Sequence, residues 1–293
     1  MMAAGRKMPP IWLALLPYLL TGLLPLVVGT LLVGACGLPV SAGVFAGVLV
    51  AAAALILAAG AGREAFAPGV GLWPALDFGP ASAARRLALG CLALAAGLLA
   101  VMQFSGLTGD WTIPLGGLGI LGGYFYFAPP VRWHYRGLGE LVGALGFGLL
   151  PVGAGFYLQS GRLVTEILVY GFPLSLAAFN LFLIHGFPRP GTAPSPGEGA
   201  LAERFGPLAG ALVYTVANIL TIAGLFICVV FPAAPLPSRL GLWPLMVLAV
   251  VNQEFIKRRA YRTETGLVRL CRLTLSLHLG MGLVFALGLW LRL

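Results

Sequence analysis

Charge is what this sequence has least of. Of its 293 residues nine are acidic and 18 are Lys or Arg, so charged side chains make up 9% against 59% hydrophobic. Ordinary globular proteins carry roughly 25% charged residues. So few ionised groups do not cover a water-soluble fold of this length, which excludes soluble enzymes, disordered tails and nucleic-acid-binding domains. The net charge of +9 would suggest nucleic acid in a soluble chain. Here the arginines sit between long apolar runs and read as topological anchors, and no nucleic-acid partner is expected. Aspartate is the scarcest acid, with only Asp77 and Asp110. The four cysteines (Cys36, Cys91, Cys228, Cys271) are isolated and form no CxxC, which excludes a disulfide scaffold and reads as buried apolar thiols. There is no GxSxG and no P-loop. His134, His185 and His278 are far apart without ligand spacing, so no metal site is expected from them. His278 reads as a packed or interhelically hydrogen-bonded histidine.

What is present is apolar length, with a mean hydropathy of +0.97. A bilayer core of about 30 Å takes about 20 apolar residues in a helix. Nine such runs occur, at 11–35, 40–60, 85–105, 112–129, 138–158, 164–185, 205–231, 240–256 and 266–291. In lipid each backbone amide must be satisfied within its own segment, so these are helices. They are too long and unalternating for outer-membrane strands. The expected fold class is therefore all-α integral membrane, one domain over 1–293 with nine transmembrane helices. The first run has no small-residue cleavage site and is read as a retained span. With the N-terminus inside, fifteen basic residues fall on the cytoplasmic side and three (Arg162, Arg239, Arg292) on the other, the bias expected of cytoplasmic loops. Two cytoplasmic connections are long, 61–84 and 186–204, the second rich in Pro, Gly and Ser. Long loops on a compact core act as lids, binding loops or linkers. Pro17, Pro25, Pro151 and Pro173 are expected to kink helices, and 42 glycines permit close helix approach.

Polar residues gather at the cytoplasmic ends. Arg63 and Glu64 follow the second span. Arg132, His134, Tyr135, Arg136 and Glu140 link the fourth and fifth. His185 and Arg189 follow the sixth, and Lys257, Arg258, Arg259 and Arg262 follow the eighth. If the bundle encloses a cavity, these groups stand at its entrance. The alternative is that each snorkels to lipid phosphates, the simpler reading for 257–262.

The stretch YFYFAPPVRWHYRGLGE, 124–140, resembles the connection between the fourth and fifth helices in the UbiA superfamily of intramembrane prenyltransferases. The similarity is nearest to the 1,4-dihydroxy-2-naphthoate polyprenyltransferase branch of menaquinone synthesis. GFGLLPVGAGFYLQSG (146–161) and LLPLVVGT (23–30) continue it. The resemblance implies a nine-helix bundle with a lateral cavity for a polyprenyl chain, capped by a polar cytoplasmic site. In the family two aspartate-rich motifs hold Mg²⁺ on a prenyl diphosphate, and the allylic carbon alkylates an aromatic ring. The metal acts there as a Lewis acid and charge clamp on the leaving oxygens.

Against that pattern the sequence is degenerate. The position of the first motif reads Gly62-Arg63-Glu64-Ala65-Phe66, with Glu64 its one acid. The second reads His185-Gly186-Phe187-Pro188-Arg189-Pro190-Gly191-Thr192-Ala193, where Phe187 and Pro188 keep the register and Arg189 and Ala193 replace aspartates. Downstream, 197–206 keeps Leu201, Arg204 and Gly206 while the phosphate-facing Lys-Arg pair is gone. A guanidinium stays protonated and repels Mg²⁺ where a carboxylate would hold it. The first reading is thus a UbiA-like protein that binds an isoprenoid or quinone-like lipid without a metal. Arg63, Arg132, Tyr135, Arg136, His185, Arg189 and Arg204 are its candidates for anionic head-group or lipid contact. No cofactor is expected on this reading. A second reading is an active aromatic prenyltransferase of menaquinone-type biosynthesis with divergent chemistry. Glu64 and Asp77 would then be weak catalytic candidates, helped by Glu198 and Glu203 in a reduced Mg²⁺ site. A third is a non-catalytic subunit of a membrane assembly, docked through 186–204 and 257–262. The family places the chain in the cytoplasmic (inner) membrane, multi-pass, with a cytoplasmic N-terminus.

Overall fold

A computed structural model describes residues 11–68, 76–191, 199–230 and 234–293, with side chains from Ile11 to Ala14 left aside. Glu198, one of the acids of the second reading, lies outside these residues. The described residues form eleven α-helices and three single-turn 3-10 segments, with no strand. In chain order the helices are α1 (Ile11–Ala35), α2 (Ala42–Phe66), α3 (Ala81–Phe104), α4 (Thr112–Gly123), α5 (Gly139–Gly146), α6 (Leu149–Ser160), α7 (Glu166–His185), α8 (Leu201–Phe205), α9 (Pro207–Val230), α10 (Leu236–Lys257) and α11 (Glu264–Trp290).

Seven segments among the described residues are long and apolar enough to cross a membrane: α1, α2, α3, the α5–α6 unit, α7, α9 and α11. The sequence reading expects nine. The difference lies in two runs. The apolar run at 112–129 is helical only as α4, 12 residues long, about 18 Å at 1.5 Å per residue, and then tightens into a 3-10 turn at Tyr124–Tyr126. Helix α10 has 22 residues but carries Arg239, Asn252, Gln253 and Glu254, which dilute its apolar character.

The run at 138–158 is broken rather than continuous. Gly148 separates α5 from α6 in a conformation outside the helical region (φ −133°, ψ −96°). Its backbone abuts α7 so closely that a Cβ there would lie 2.4 Å from the Ser175 backbone nitrogen. The break orphans amides, and the Leu149 N–H is satisfied by donating to Ser175 Oγ at 2.8 Å. Pro151 sits in the first turn of α6, where its missing N–H costs no helical hydrogen bond. Pro17, Pro25 and Pro173 do lie inside α1 and α7.

Helix α7 is the central element, with buried residues from Ile167 to His185. It packs on α5, α6, α9 and α11, while α2 pairs mainly with α3 and α1 with α6. The α1–α6 contact depends on glycine. A Cβ on Gly29 would stand 2.0 Å from the Val152 carbonyl oxygen, and one on Gly155 2.3 Å from that of Leu26. Small residues at such crossings let the backbones meet, the main source of helix association in lipid. Polar side chains tie the remaining helices. His278 Nε2 lies 3.2 Å from Thr21 O, linking α11 to α1 in the interhelical role expected from sequence. Tyr214 and Thr274 hydroxyls bond at 2.7 Å between α9 and α11. Asn218 donates to Ala249 O at 2.9 Å, joining α9 to α10. Of the cysteines only Cys228 and Cys271 are buried; Cys91 is half-buried and Cys36 is exposed, because the ends and outer faces of α1 and α3 have no helix against them.

These contacts predict an asymmetric glycine response. Gly155→Val should force α1 and α6 apart and cost about 1–3 kcal/mol, the usual range for overpacking. Gly97→Ala, with nothing within 4 Å of its Cβ, should be neutral or slightly stabilising. Melting temperatures in detergent check this; equal loss in both variants would contradict the α1–α6 packing.

Candidate functional site

A cavity of about 910 Å³ lies between α1, α2, α4, the α5–α6 unit and α7. Its walls are almost wholly apolar, with Leu55, Ile56, Leu118, Val142 and Phe147 among them. Glycines 119, 122 and 123 of α4 also line it, so the missing side chains both admit α2 and leave room. Leu118, Leu121, Leu141 and Leu145 of α4 and α5 are exposed, and Leu118, Leu121 and Leu145 also line the cavity.

The polar end is at the C-termini of α2 and α7. Arg63, one turn from the end of α2, is 2% exposed and is the only Asp, Glu, Lys or Arg among the described lining residues. Its charge is answered by the next residue. Nε donates to Glu64 Oε1 at 3.1 Å, and Nη2 donates to the same oxygen in an ion pair. Nη1 donates to the Tyr18 hydroxyl at 2.5 Å, and the guanidinium carbon lies 5.7 Å from the Tyr18 ring centroid. Glu64 Oε1 also accepts from the Leu76 N–H at 3.2 Å, which fastens the chain after α2 onto its end.

Two histidines stand at the same end. His185, the last residue of α7, has Nδ1 2.7 Å from Leu181 O. A carbonyl oxygen only accepts, so Nδ1 carries the proton. His134, in the 3-10 turn Trp133–Arg136, is 6% exposed and its Nε2 is buried without a partner. Burial pushes its imidazole down from 6.5 to about 4. Around it stack Tyr126, Phe127 and Tyr135, with ring centroids 5.2–5.7 Å away.

The segment 199–205 covers the neighbouring surface. Glu140, in the first turn of α5 and 1% exposed, accepts the Leu201 N–H on Oε1 at 2.7 Å. Arg204 Nη1 donates to Arg136 O at 3.3 Å, and its guanidinium lies 5.7 Å from the Phe205 ring. Ala202 packs under α9, where a Cβ on Gly210 would meet its Cβ at 2.7 Å.

The residues named from sequence are thus divided. Arg63 and His185 line the cavity. Glu64 sits beside it, bonded to Arg63. Tyr135 is half-buried behind His134. Arg132, Arg136, Arg189 and Arg204 are exposed and do not line the cavity. Asp77 is also exposed, accepting the Gly79 N–H at 2.9 Å in a local turn. Tyr18 and Tyr126 were not singled out by sequence reasoning, yet both line the polar end. Tyr18 lies 45 residues from Arg63, a pairing that no spacing rule reveals.

The architecture matches solved structures across nearly the whole chain. A UbiA homologue from Aeropyrum pernix K1 in its apo form aligns with TM-score 0.63 at 13% identity, covering 97% of this chain and 98% of that one. A UbiA homologue from Archaeoglobus fulgidus bound to GPP and Mg²⁺ aligns with TM-score 0.59 at 16% identity, covering 94% and 99%. A digeranylgeranylglyceryl phosphate synthase gives TM-score 0.62 at 10% identity, covering 95% of each. In sequence, a 2-carboxy-1,4-naphthoquinone phytyltransferase from Synechocystis sp. (strain ATCC 27184 / PCC 6803 / Kazusa) is 27% identical over 201 residues, 67% of this chain. The match spans 63% of that relative's length. No family model matches the sequence. The chain is a multi-pass membrane protein with the fold of these UbiA homologues, and in sequence it is similar to a naphthoquinone phytyltransferase.

The donor set here does not suit the Mg²⁺ of the Archaeoglobus homologue. Mg²⁺ takes near-octahedral oxygen ligands from carboxylates, waters and phosphates. Among the described residues no group of three or more His, Cys, Asp or Glu is placed to hold a metal. Glu64 Oε1 already receives three N–H groups, and the Arg63 guanidinium paired with it repels a divalent cation.

His134 gives the site a pH signature. Between 6.5 and about 4 the unfolded chain binds this proton and the folded chain does not, so stability falls as pH drops through that window. Melts from pH 7 to 4 should show a decline that is shallower in His134→Phe. Identical slopes would show that the ring is not buried neutral.

Proposed function

We propose that this protein binds an isoprenoid or quinone-like lipid, its chain in the cavity and its head group at the end formed by Arg63, Tyr18, His134 and His185. The observation that carries the reading is the shape and chemistry of one space. An apolar cavity of about 910 Å³, lined in part by exposed leucines of α4 and α5, ends on a small set of convergent polar groups, the form of a ligand site. Similarity to a protein named as a phytyltransferase and to a GPP-bound homologue supports an isoprenoid chain as the part held in the cavity. On this reading the exposed Arg132, Arg136, Arg189 and Arg204 act at the membrane surface, where they attract lipid phosphates. The reading assigns no metal to the site. It places that end on the cytoplasmic side of the inner membrane, with the N-terminus also cytoplasmic, because the fifteen-to-three distribution of basic residues favours that orientation.

A second reading, prenyl transfer to an aromatic acceptor, is favoured by the phytyltransferase similarity. It differs in one outcome: turnover of a prenyl diphosphate with a dihydroxynaphthoate acceptor. Such turnover, dependent on Mg²⁺ and lost in Glu64→Gln, would replace the binding reading.

The test of the first reading uses a cavity-filling variant. Gly146 lines the cavity and has nothing within 4 Å of its Cβ position, so Gly146→Trp is the variant chosen to occupy the space. Protein purified from membranes should carry an isoprenoid or quinone-like lipid detectable by mass spectrometry, reduced at least tenfold in Gly146→Trp. Equal recovery from both proteins, or recovery of bulk phospholipid alone, would contradict it.

A further inference from the structure

The head group itself is constrained by charge at the closed end of the cavity. Arg63 is the one formally charged residue among the described lining residues, and its Glu64 partner cancels it. All three guanidinium nitrogens already donate, Nε and Nη2 to Glu64 and Nη1 to Tyr18. The pair is buried, with side-chain exposures of 3% and 13%, so water does little to screen or replace it. A diphosphate brought here would carry several negative charges into a site whose net charge is zero. Without a counter-charge, desolvating them is strongly unfavourable. The remaining arginines of the region are exposed and outside the cavity.

What the end does offer suits an uncharged ring. Tyr126, Phe127, Trp133 and Phe182 line it, and aromatic faces of this kind stack on a flat partner. His134 Nε2 is buried without a partner on the same lining. A neutral imidazole nitrogen meets a carbonyl as a donor or a hydroxyl as an acceptor, according to its tautomer.

We infer that the site selects a lipid with a neutral aromatic head of the quinone or quinol type, and that Glu64 is the specificity-determining residue because it cancels Arg63 and excludes diphosphate heads. This rests on the lipid-binding reading above and narrows it. It also accounts for a pattern opaque in sequence alone. A guanidinium at an acidic position looks like an anion receptor, but the adjacent carboxylate turns it into a neutral hydrogen-bonding fixture.

Two lipids with one tail separate the possibilities: a 1,4-naphthoquinone carrying a geranylgeranyl chain, and geranylgeranyl diphosphate. Binding of each to the full-length protein in nanodiscs is measured with Mg²⁺ and with EDTA. The wild type should bind the quinone at least tenfold tighter than the diphosphate, with no effect of Mg²⁺. Glu64→Gln should shift the ranking of the two lipids at least tenfold toward the diphosphate, and that shift should weaken as salt is raised. Equal or tighter diphosphate binding by the wild type, with or without Mg²⁺, would overturn the inference while leaving the lipid-binding reading standing. Binding of neither lipid would remove both. If Glu64→Gln does not fold, the wild-type ranking alone decides. A folded Glu64→Gln with no such shift would show that Glu64 does not set the specificity.

Discussion

A buried guanidinium governs the chemistry of this bundle. Arg63 stays protonated at any biological pH, and at 2% exposure it has almost no water to stabilise that charge. Removing an ion from water costs several kcal/mol even after the protein relaxes, so the structure must answer it locally. Glu64 does so from the adjacent position and Tyr18 from α1, while the Leu76 N–H donates to the same Glu64 Oε1. The consequence reaches beyond the pair. It joins α1, α2 and the start of the segment before α3 at one point, and it sets the net charge of the cavity end to zero.

The cavity exists because α4 is short and glycine-rich and because α5 and α6 do not form one straight helix. Glycines at 119, 122 and 123 remove the side chains that would fill the space. The break at Gly148, satisfied by Ser175 Oγ, offsets the two half-helices. The neighbouring α1–α6 crossing is by contrast closely packed, near the limit of backbone approach. The open space is therefore local, and it is bordered by exposed leucines and by polar groups at one end. The helices around it follow the fold of UbiA homologues, while the residues at its end follow their own chemistry.

The class of fold was legible in the sequence because lipid leaves few alternatives: long apolar runs must be helices, and the position of arginines orders them. The runs at 112–129 and 240–256 account for the difference in span count, because α4 is only 12 residues long and α10 carries polar residues, while the break inside 138–158 is invisible to hydropathy, which records composition and not continuity. Only a contact with α7 explains why Gly148 interrupts its helix, and only the 3-10 turn at Tyr124–Tyr126 shows where α4 stops. At the site, Arg63 and His185, named by register with the aspartate-rich motifs, line the cavity. Tyr18 and Tyr126 were not, since their roles come from helix packing across long sequence separations. Exposure was equally hidden. Arg189 and Arg63 occupy comparable motif positions, yet one is exposed and the other buried.

The central claim is that the cavity ends on an internally neutralised arginine facing an uncharged ring. A cryo-electron microscopy structure of the protein in nanodiscs, prepared with Mg²⁺ and an equimolar mixture of the prenylated quinone and the prenyl diphosphate, tests it most directly. The account predicts a flat ring against Tyr126 and Phe127, within hydrogen-bond distance of His134, with Arg63 still paired to Glu64. Density for a diphosphate bridged by a metal to Glu64, with Arg63 turned away, would contradict it.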